Sequence, residues 1–473
     1  GVISSKDNPA LSGVTWGSHI TNPDDFLKKL KDAPIIGAQF QSIDATDATD
    51  AATVQKVLAV ISKWHDSDDD SIAFARFVCH YLYSNGAAPD SDIVGGNSSI
   101  TIPEAGYYLI VDNINFSNGD YYHAYNSFLL VNVPQAVQTS YNVTINHKVV
   151  KPTVEKKVYD NFDNQDGTST GDFGSSADHA INEKFQFQLI AKLPASKDNG
   201  RAYDYYDKYT VCFNDTLSEG ITYDGLDSVV IESNNNTYNI TDTLKYTINT
   251  DNLETQNYFE VNIPDVKTCA EGLDLNDGAT ITVTYTAHLN DKATVNTANG
   301  SNTTDNKNSV FLQYSNNPRI DTSLDHTTTN EVCVYTYQLN NTKYRDEVNE
   351  NNKLEGAGFR LYSDEACNNE IKLKKNNDGT YSPYFGADAG DEMFSDEHGQ
   401  FNVKGLDAGT YYLRETKTPD GYSACDDTKI VISATHDEHN VNLSGESNLN
   451  NKIINKKAGG ITLPSTGGIG TTL

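Results

Sequence analysis

From Tyr141 onward the chain alternates apolar and polar residues almost without relief. Val143, Ile145 and His147 fall on one side, with Thr144, Asn146 and Lys148 on the other. A period of two is the mark of a half-buried strand, because successive side chains leave a strand on opposite faces. Pro152 interrupts the alternation and Val154, Lys156 and Val158 resume it, which reads as a domain junction. A second junction falls at Ser315-Asn316-Asn317-Pro318, after the strand Val310 to Tyr314. Helical spacing is confined to the first third, at Asp24 to Lys31, Ala52 to Trp64 (Val54, Val57, Leu58, Ile61) and Ser71 to Tyr83. Strand-like runs, Tyr107 to Val111 and Phe128 to Val133, lie around those helices. The expected fold class is therefore mainly β. It comprises an N-terminal β domain with helical insertions at 1–149, β-rich domains at 150–318 and 319–459, and an exposed tail at 460–473.

Composition narrows the function. The 473 residues suggest about three domains. Acidic residues outnumber Lys plus Arg by 65 to 35, and a net charge of -30 repels phosphate backbones, so no nucleic-acid partner is expected. With 28 Tyr and 17 Phe against one Met, the balance favours strands. No apolar run of about 18 residues occurs to span a bilayer. Gly1 opens in polar sequence, as a processed start would. The chain lacks a phosphate loop, a zinc-protease His-Glu pair and a Gly-x-Ser-x-Gly elbow, so neither an enzyme nor a cofactor is expected. No metal is expected either. His436-Asp437-Glu438-His439 reads as a solvated turn, and Asp160 to Gly167 puts Phe162 where the first ligand of a calcium loop belongs. The acidic run Asp66 to Asp70 reads as a solvated helix boundary.

Two lysines stand out. Lys156 shares an apolar strand face with Val154 and Val158, where a lone ammonium is costly. Tyr209, Val211 and Phe213 alternate inward and place Asp215 on the inner face; Val310, Leu312 and Tyr314 do the same for Asn316. Farther on, Lys343 shares parity with Tyr335, Tyr337, Leu339 and Asn341, Glu415 with Tyr411 and Leu413, and Asn455 with Ile453. A neutral lysine held beside a protonated acid can attack an asparagine side chain, expel ammonia and leave an isopeptide bond. The alternative is that both lysines sit at strand edges and snorkel to water.

Leu354-Glu355-Gly356-Ala357-Gly358-Phe359-Arg360-Leu361-Tyr362, Gly399-Gln400-Phe401 through Gly405-Leu406, Gly409-Thr410-Tyr411-Tyr412-Leu413-Arg414-Glu415 and Pro419-Asp420-Gly421-Tyr422 follow one another in the last third. Together they resemble the B-type repeat domain of collagen adhesins and Gram-positive pilins, an immunoglobulin-like β-sandwich. Leu463-Pro464-Ser465-Thr466-Gly467 resembles a sortase sorting signal. The whole layout resembles the backbone subunit of sortase-assembled pili. That resemblance implies cleavage after Thr466 and transfer of its carbonyl to a lysine of the next subunit. By position this is Lys148, with Lys151 as the fallback, since Asn146-His147-Lys148 departs from the usual Tyr-Pro-Lys. It also implies internal cross-links from Lys156 to Asn316 with Asp215 and from Lys343 to Asn455 with Glu415. Gly106-Tyr107-Tyr108-Leu109-Ile110-Val111 echoes Gly409 to Glu415 but puts Val111 at the acid's place, so the first domain is expected to lack a link.

The partners implied are further copies of the chain, a pilus sortase, accessory pilins and peptidoglycan, and the location is the cell surface. The rival reading is a wall-anchored adhesin that binds a host or matrix ligand through its first domain, with Tyr121, Tyr122 and Tyr125 as candidate groove residues. A disulfide between Cys367 and Cys425 would suit an extracellular protein. Cys212 and Cys269 form a second candidate pair, although Cys212 falls outward on its strand; Cys79 and Cys333 read as buried thiols.

Overall fold

A computed structural model describes residues 2–3, 11–12, 14–44, 48–65, 68–88, 106–111, 128–133, 151–163, 169–197, 201–297, 303–318 and 321–458. Within them the chain is mainly β, with its longer helices near the N-terminus. Those helices are Pro23–Lys31, Ala51–Ile61 and Asp69–Ser84. The first starts where Asn22 caps the Asp25 N–H and Pro23 pre-sets the first turn. Phe26, Leu27 and Leu30 pack with Phe40, Val57, Phe74 and Val78 into a core of their own. The strands Gly106–Val111 and Phe128–Val133 pair antiparallel beside it. Arg76 ties the third helix to the next domain by pairing with Asp207 and donating to the Asp204 carbonyl.

The middle domain is a sandwich. One sheet runs, in spatial order, Asn236–Asn239, Ile221–Ser233, Ala279–Leu289, Lys184–Leu193, Thr153–Asp163 and Ser169–Gly174. The other runs Thr247–Asn249, Tyr258–Ile263, Val211–Leu217, Lys307–Ser315, Asn330–Tyr335 and Ser176–Asp178. Inward positions from both sheets, among them Phe187, Leu189, Phe213, Val283 and Leu312, close one apolar core.

The C-terminal domain is a smaller sandwich. Tyr337–Arg345 lies between Val403–Leu406 and Asn450–Asn455, and its pairing with the latter is parallel. Gly358–Tyr362, Gly409–Lys417 and Thr428–Ile432 form the facing sheet.

The junction between these sandwiches differs from the boundary expected at 318. Asn330–Tyr335 completes the middle sheet by pairing with Lys307–Ser315, and after Thr336 the chain enters the C-terminal sheet. Pro318 marks a turn within the middle domain, since Leu324–His326 folds back onto Ser315. Backbone contacts also bridge the two sandwiches: the Ile181 N–H donates to Gly405 O at 2.9 Å, and the Gln338 N–H to Asn296 O at 3.0 Å. Gly405 has φ +84, and a Cβ there would collide with Ile181, so the close approach needs glycine.

Candidate cross-linking sites

Strand parity turns Lys156 inward, where the facing sheet supplies Asp215 and Asn308 and its own sheet supplies Tyr285 and Phe187. Its Nζ bonds Asp215 directly and donates to Tyr285 Oη at 3.2 Å. The Tyr285 hydroxyl bridges on to Asp215 Oδ1 at 3.2 Å and receives the Asn308 Nδ2–H at 2.5 Å. Lys156 and Asp215 have fully buried side chains, and Nζ also stands 5.3 Å from the centre of the Phe187 ring. Desolvation draws the lysine down to about 8 against the pull of Asp215, and burial raises the Asp215 carboxyl.

The asparagine of this cluster is Asn308, which corrects the assignment of Asn316. Both share the inward parity of Val310, Leu312 and Tyr314, but eight residues of strand separate them by roughly 25 Å. Val310 pairs with Asp215, and that register brings Asn308 into the cluster. Asn316 lies past the strand end, where its Oδ1 accepts from Ser323. Lys157, the neighbouring lysine, faces solvent beside Glu155.

In the C-terminal sandwich Lys343 Nζ stands 3.5 Å from Glu415 Oε1, and both side chains are fully buried. The same oxygen receives the Asn455 Nδ2–H at 2.7 Å, while Glu415 Oε2 accepts the Cys425 N–H at 2.9 Å. Lys343 Nζ also donates to Cys425 Sγ at 3.2 Å and lies 5.0 Å from the Phe359 ring centre. The structure thus brings Lys343, Glu415 and Asn455 together and adds a thiol. Both asparagines share one further property: Asn308 Oδ1 and Asn455 Oδ1 are buried without a hydrogen-bond partner. A bare buried carbonyl is costly, and it is the group a neighbouring acid would polarise during attack by an amine.

The cysteines correct another expectation, since none of the six forms a disulfide. Cys425 turns inward to Lys343 while Cys367 Sγ lies 3.8 Å from Asp427 Oδ2, so the expected pair points to different neighbours. Cys212 and Cys269 are likewise unpaired; burial pushes the Cys212 thiol up to about 12 and Cys269 to about 11. His436 is a third correction. Asp437 Oδ1 closes the turn by accepting from the His439 and Asn440 N–H groups, but the His436 ring enters the domain junction, 3.5 Å from Asp160 Oδ2. Lys148, the sorting residues Leu463, Pro464, Ser465, Thr466 and Gly467, and Tyr121, Tyr122 and Tyr125 lie outside the described residues.

The fold and these sites define a multidomain β protein with a lysine, an acid and an asparagine enclosed in each of two sandwich cores. Residues 336–448 match the SpaA family, the prealbumin-like fold domain. Among solved structures, the chain resembles the T6 backbone pilin of serotype M6 Streptococcus pyogenes at 17% identity and TM-score 0.47, over 82% of this chain and 89% of that one. The full-length major pilin SpaD from Corynebacterium diphtheriae aligns at 19% identity and TM-score 0.44, over 75% of this chain and 79% of that one. BcpA, the major pilin subunit of Bacillus cereus, aligns at 17% identity and TM-score 0.42, over 75% and 86% respectively. A search of curated proteins gave no match.

Proposed function

We propose that the chain is the repeating shaft subunit of a covalently polymerised surface fibre, hardened internally by two isopeptide bonds. The observation that carries this reading is the twice-built cluster: Lys156, Asp215 and Asn308, then Lys343, Glu415 and Asn455, each in an apolar core. In each cluster the neutral amine attacks Cγ of the asparagine. A bond forms between Nζ and Cγ, the Cγ–Nδ2 bond breaks, and the acid carries a proton from the amine to Nδ2, which leaves as ammonia. A lysine at about 8 is roughly one-tenth neutral at pH 7, against a few parts in ten thousand at its ordinary value. Fixed proximity supplies much of the remaining rate.

Between subunits, a sortase thiol takes the Thr466 carbonyl as the Thr466–Gly467 bond breaks. The Lys148 amine of the next copy then displaces that thiol. The SpaA-family match of the C-terminal sandwich and the Leu463–Gly467 motif support this step.

The test is mass spectrometry of digested native wall polymer. A branched peptide joining Thr466 to Lys148 is expected; Thr466 joined only to peptidoglycan would make the chain a wall-anchored adhesin instead.

A further inference from the structure

A second kind of cluster sits between the two sandwiches and takes no part in the cross-linking chemistry. His179 is fully buried, and its Nε2 lies 2.6 Å from the Tyr159 carbonyl oxygen. A carbonyl only accepts, so Nε2 carries the proton and Nδ1 presents its lone pair. Nδ1 has no hydrogen-bond partner and stands 3.6 Å from Glu183 Oε2. Ligand atoms of His179, Glu183 and Asp407 all lie within 4.8 Å of one another. A lone pair facing the Glu183 carboxylate inside a protein, beside the buried Asp407 carboxyl that hydrogen-bonds Asp178, is an unfavourable arrangement that a cation would relieve.

The geometry points to a site for one divalent transition cation, of the zinc class, held by His179 Nδ1, Glu183 and Asp407 across the domain junction. An imidazole with two carboxylates is a borderline-soft donor set, and two ligand atoms of a tetrahedral zinc site stand roughly 3.4 Å apart, close to the His179–Glu183 spacing. Each ligand is also braced from behind. Asn161 Nδ2 donates to Glu183 Oε1 at 3.1 Å and the Ala180 N–H to Oε2 at 3.0 Å. The Ala408 N–H donates to Asp407 Oδ1 at 2.8 Å, and Tyr159 O fixes the His179 ring. Such outer hydrogen bonds aim ligands and set the imidazole tautomer. His179 and Glu183 belong to the middle sandwich and Asp407 to the C-terminal one, so a bound cation would fasten the two together.

Next to it, His436 Nε2 lies 3.5 Å from Asp160 Oδ2 and 3.9 Å from Asp178 Oδ2, with Nδ1 2.8 Å from Ser176 Oγ. This neighbour touches the site through Asp178, which hydrogen-bonds Asp407, and is the competing donor set that the His436 variant tests.

The experiment is calorimetric titration of the chelator-stripped full chain with Zn²⁺, repeated with Co²⁺ to read the ligand type from its absorption. One saturable equivalent is expected, with a Co²⁺ spectrum free of thiolate charge transfer. Affinity should fall at least about tenfold in Asp407→Asn and in His179→Gln, and stay within about twofold in His436→Gln. Asp407→Asn keeps the test sound should the buried His179→Gln fail to fold. No saturable binding, a thiolate band, or loss in His436→Gln with retention in Asp407→Asn would overturn the proposal.

Discussion

In the middle sandwich Lys156 and Asn308 come from opposite sheets, and the acid stands on the strand next to the asparagine. In the C-terminal sandwich Lys343 and Asn455 lie on adjacent parallel strands of one sheet, and only Glu415 crosses from the facing sheet. The first arrangement would staple sheet to sheet; the second would rivet the domain's first long strand to its last. Their polar company differs too. Tyr285 threads the middle cluster together with hydrogen bonds to all three partners, whereas Cys425 offers the C-terminal cluster a backbone N–H and a thiol. One reaction can therefore be assembled from different topologies, provided that amine, acid and amide reach the same dry volume.

Mechanical extension should show the contrast most strongly. Asn308→Ala frees roughly 150 residues of the middle domain, about 500 Å of contour at ~3.4 Å per residue, and Asn455→Ala frees roughly 110 residues, about 370 Å. Single-molecule pulling on the parent chain should show neither step; either one appearing there removes the corresponding link. Denaturant unfolding comes next. By analogy with disulfides closing loops of that length, Asn455→Ala should lose about 5 kcal/mol from the C-terminal transition. A loss below about 1 kcal/mol would mean that no covalent closure existed.

The pH response of Asn308→Ala isolates the unreacted Lys156–Asp215 pair. Lys156 sits at about 8 in the folded state and near its ordinary 10.5 when unfolded, so the unfolded chain binds the extra proton between those values. Stability should thus rise from pH 8 to 10.5, by about 3 kcal/mol relative to Lys156→Met/Asn308→Ala. A surface ion pair, which raises its lysine, would slope the other way. The smallest effect separates the two polar neighbours. Tyr285→Phe should slow linking in newly synthesised chains by about tenfold, roughly the value of one hydrogen bond, and Cys425→Ala should leave the C-terminal link forming at the parent rate. Time-resolved intact mass, counting lost ammonia, reads both; equal rates in Tyr285→Phe and parent would strip the phenol of its role.

Alternation alone pointed Lys156, Asp215, Lys343, Glu415 and Asn455 inward, because a two-residue period leaves only two faces to choose from. It could not separate Asn308 from Asn316. Both share one parity, and where the strand ends and how deep each residue lies are set by pairing with Val211–Leu217, which a linear pattern does not encode. The same blindness affected the junction: Pro318 breaks the alternation as a domain end would, yet it only starts a return to Ser315. His436 and Cys425 were misplaced because each lies near a turn whose direction is decided by partners more than 80 residues distant in sequence, as the Lys343–Cys425 contact illustrates. The helices were easier, because the apolar spacing that marks them is local.

The short passage through Thr336 has a consequence for how a fibre of such subunits would stretch. With both links closed, tension entering at Lys156 crosses to Asn308, follows the backbone to Lys343 and crosses again to Asn455. Only the roughly 35 residues between Asn308 and Lys343 then carry load as unshunted chain within the two sandwiches, capping their give at about 120 Å however hard the fibre is pulled. That stretch runs from Lys307–Ser315 through Leu324–His326 and Asn330–Tyr335 into Tyr337–Arg345, so the compliance of the two sandwiches is concentrated in the strands that flank Thr336.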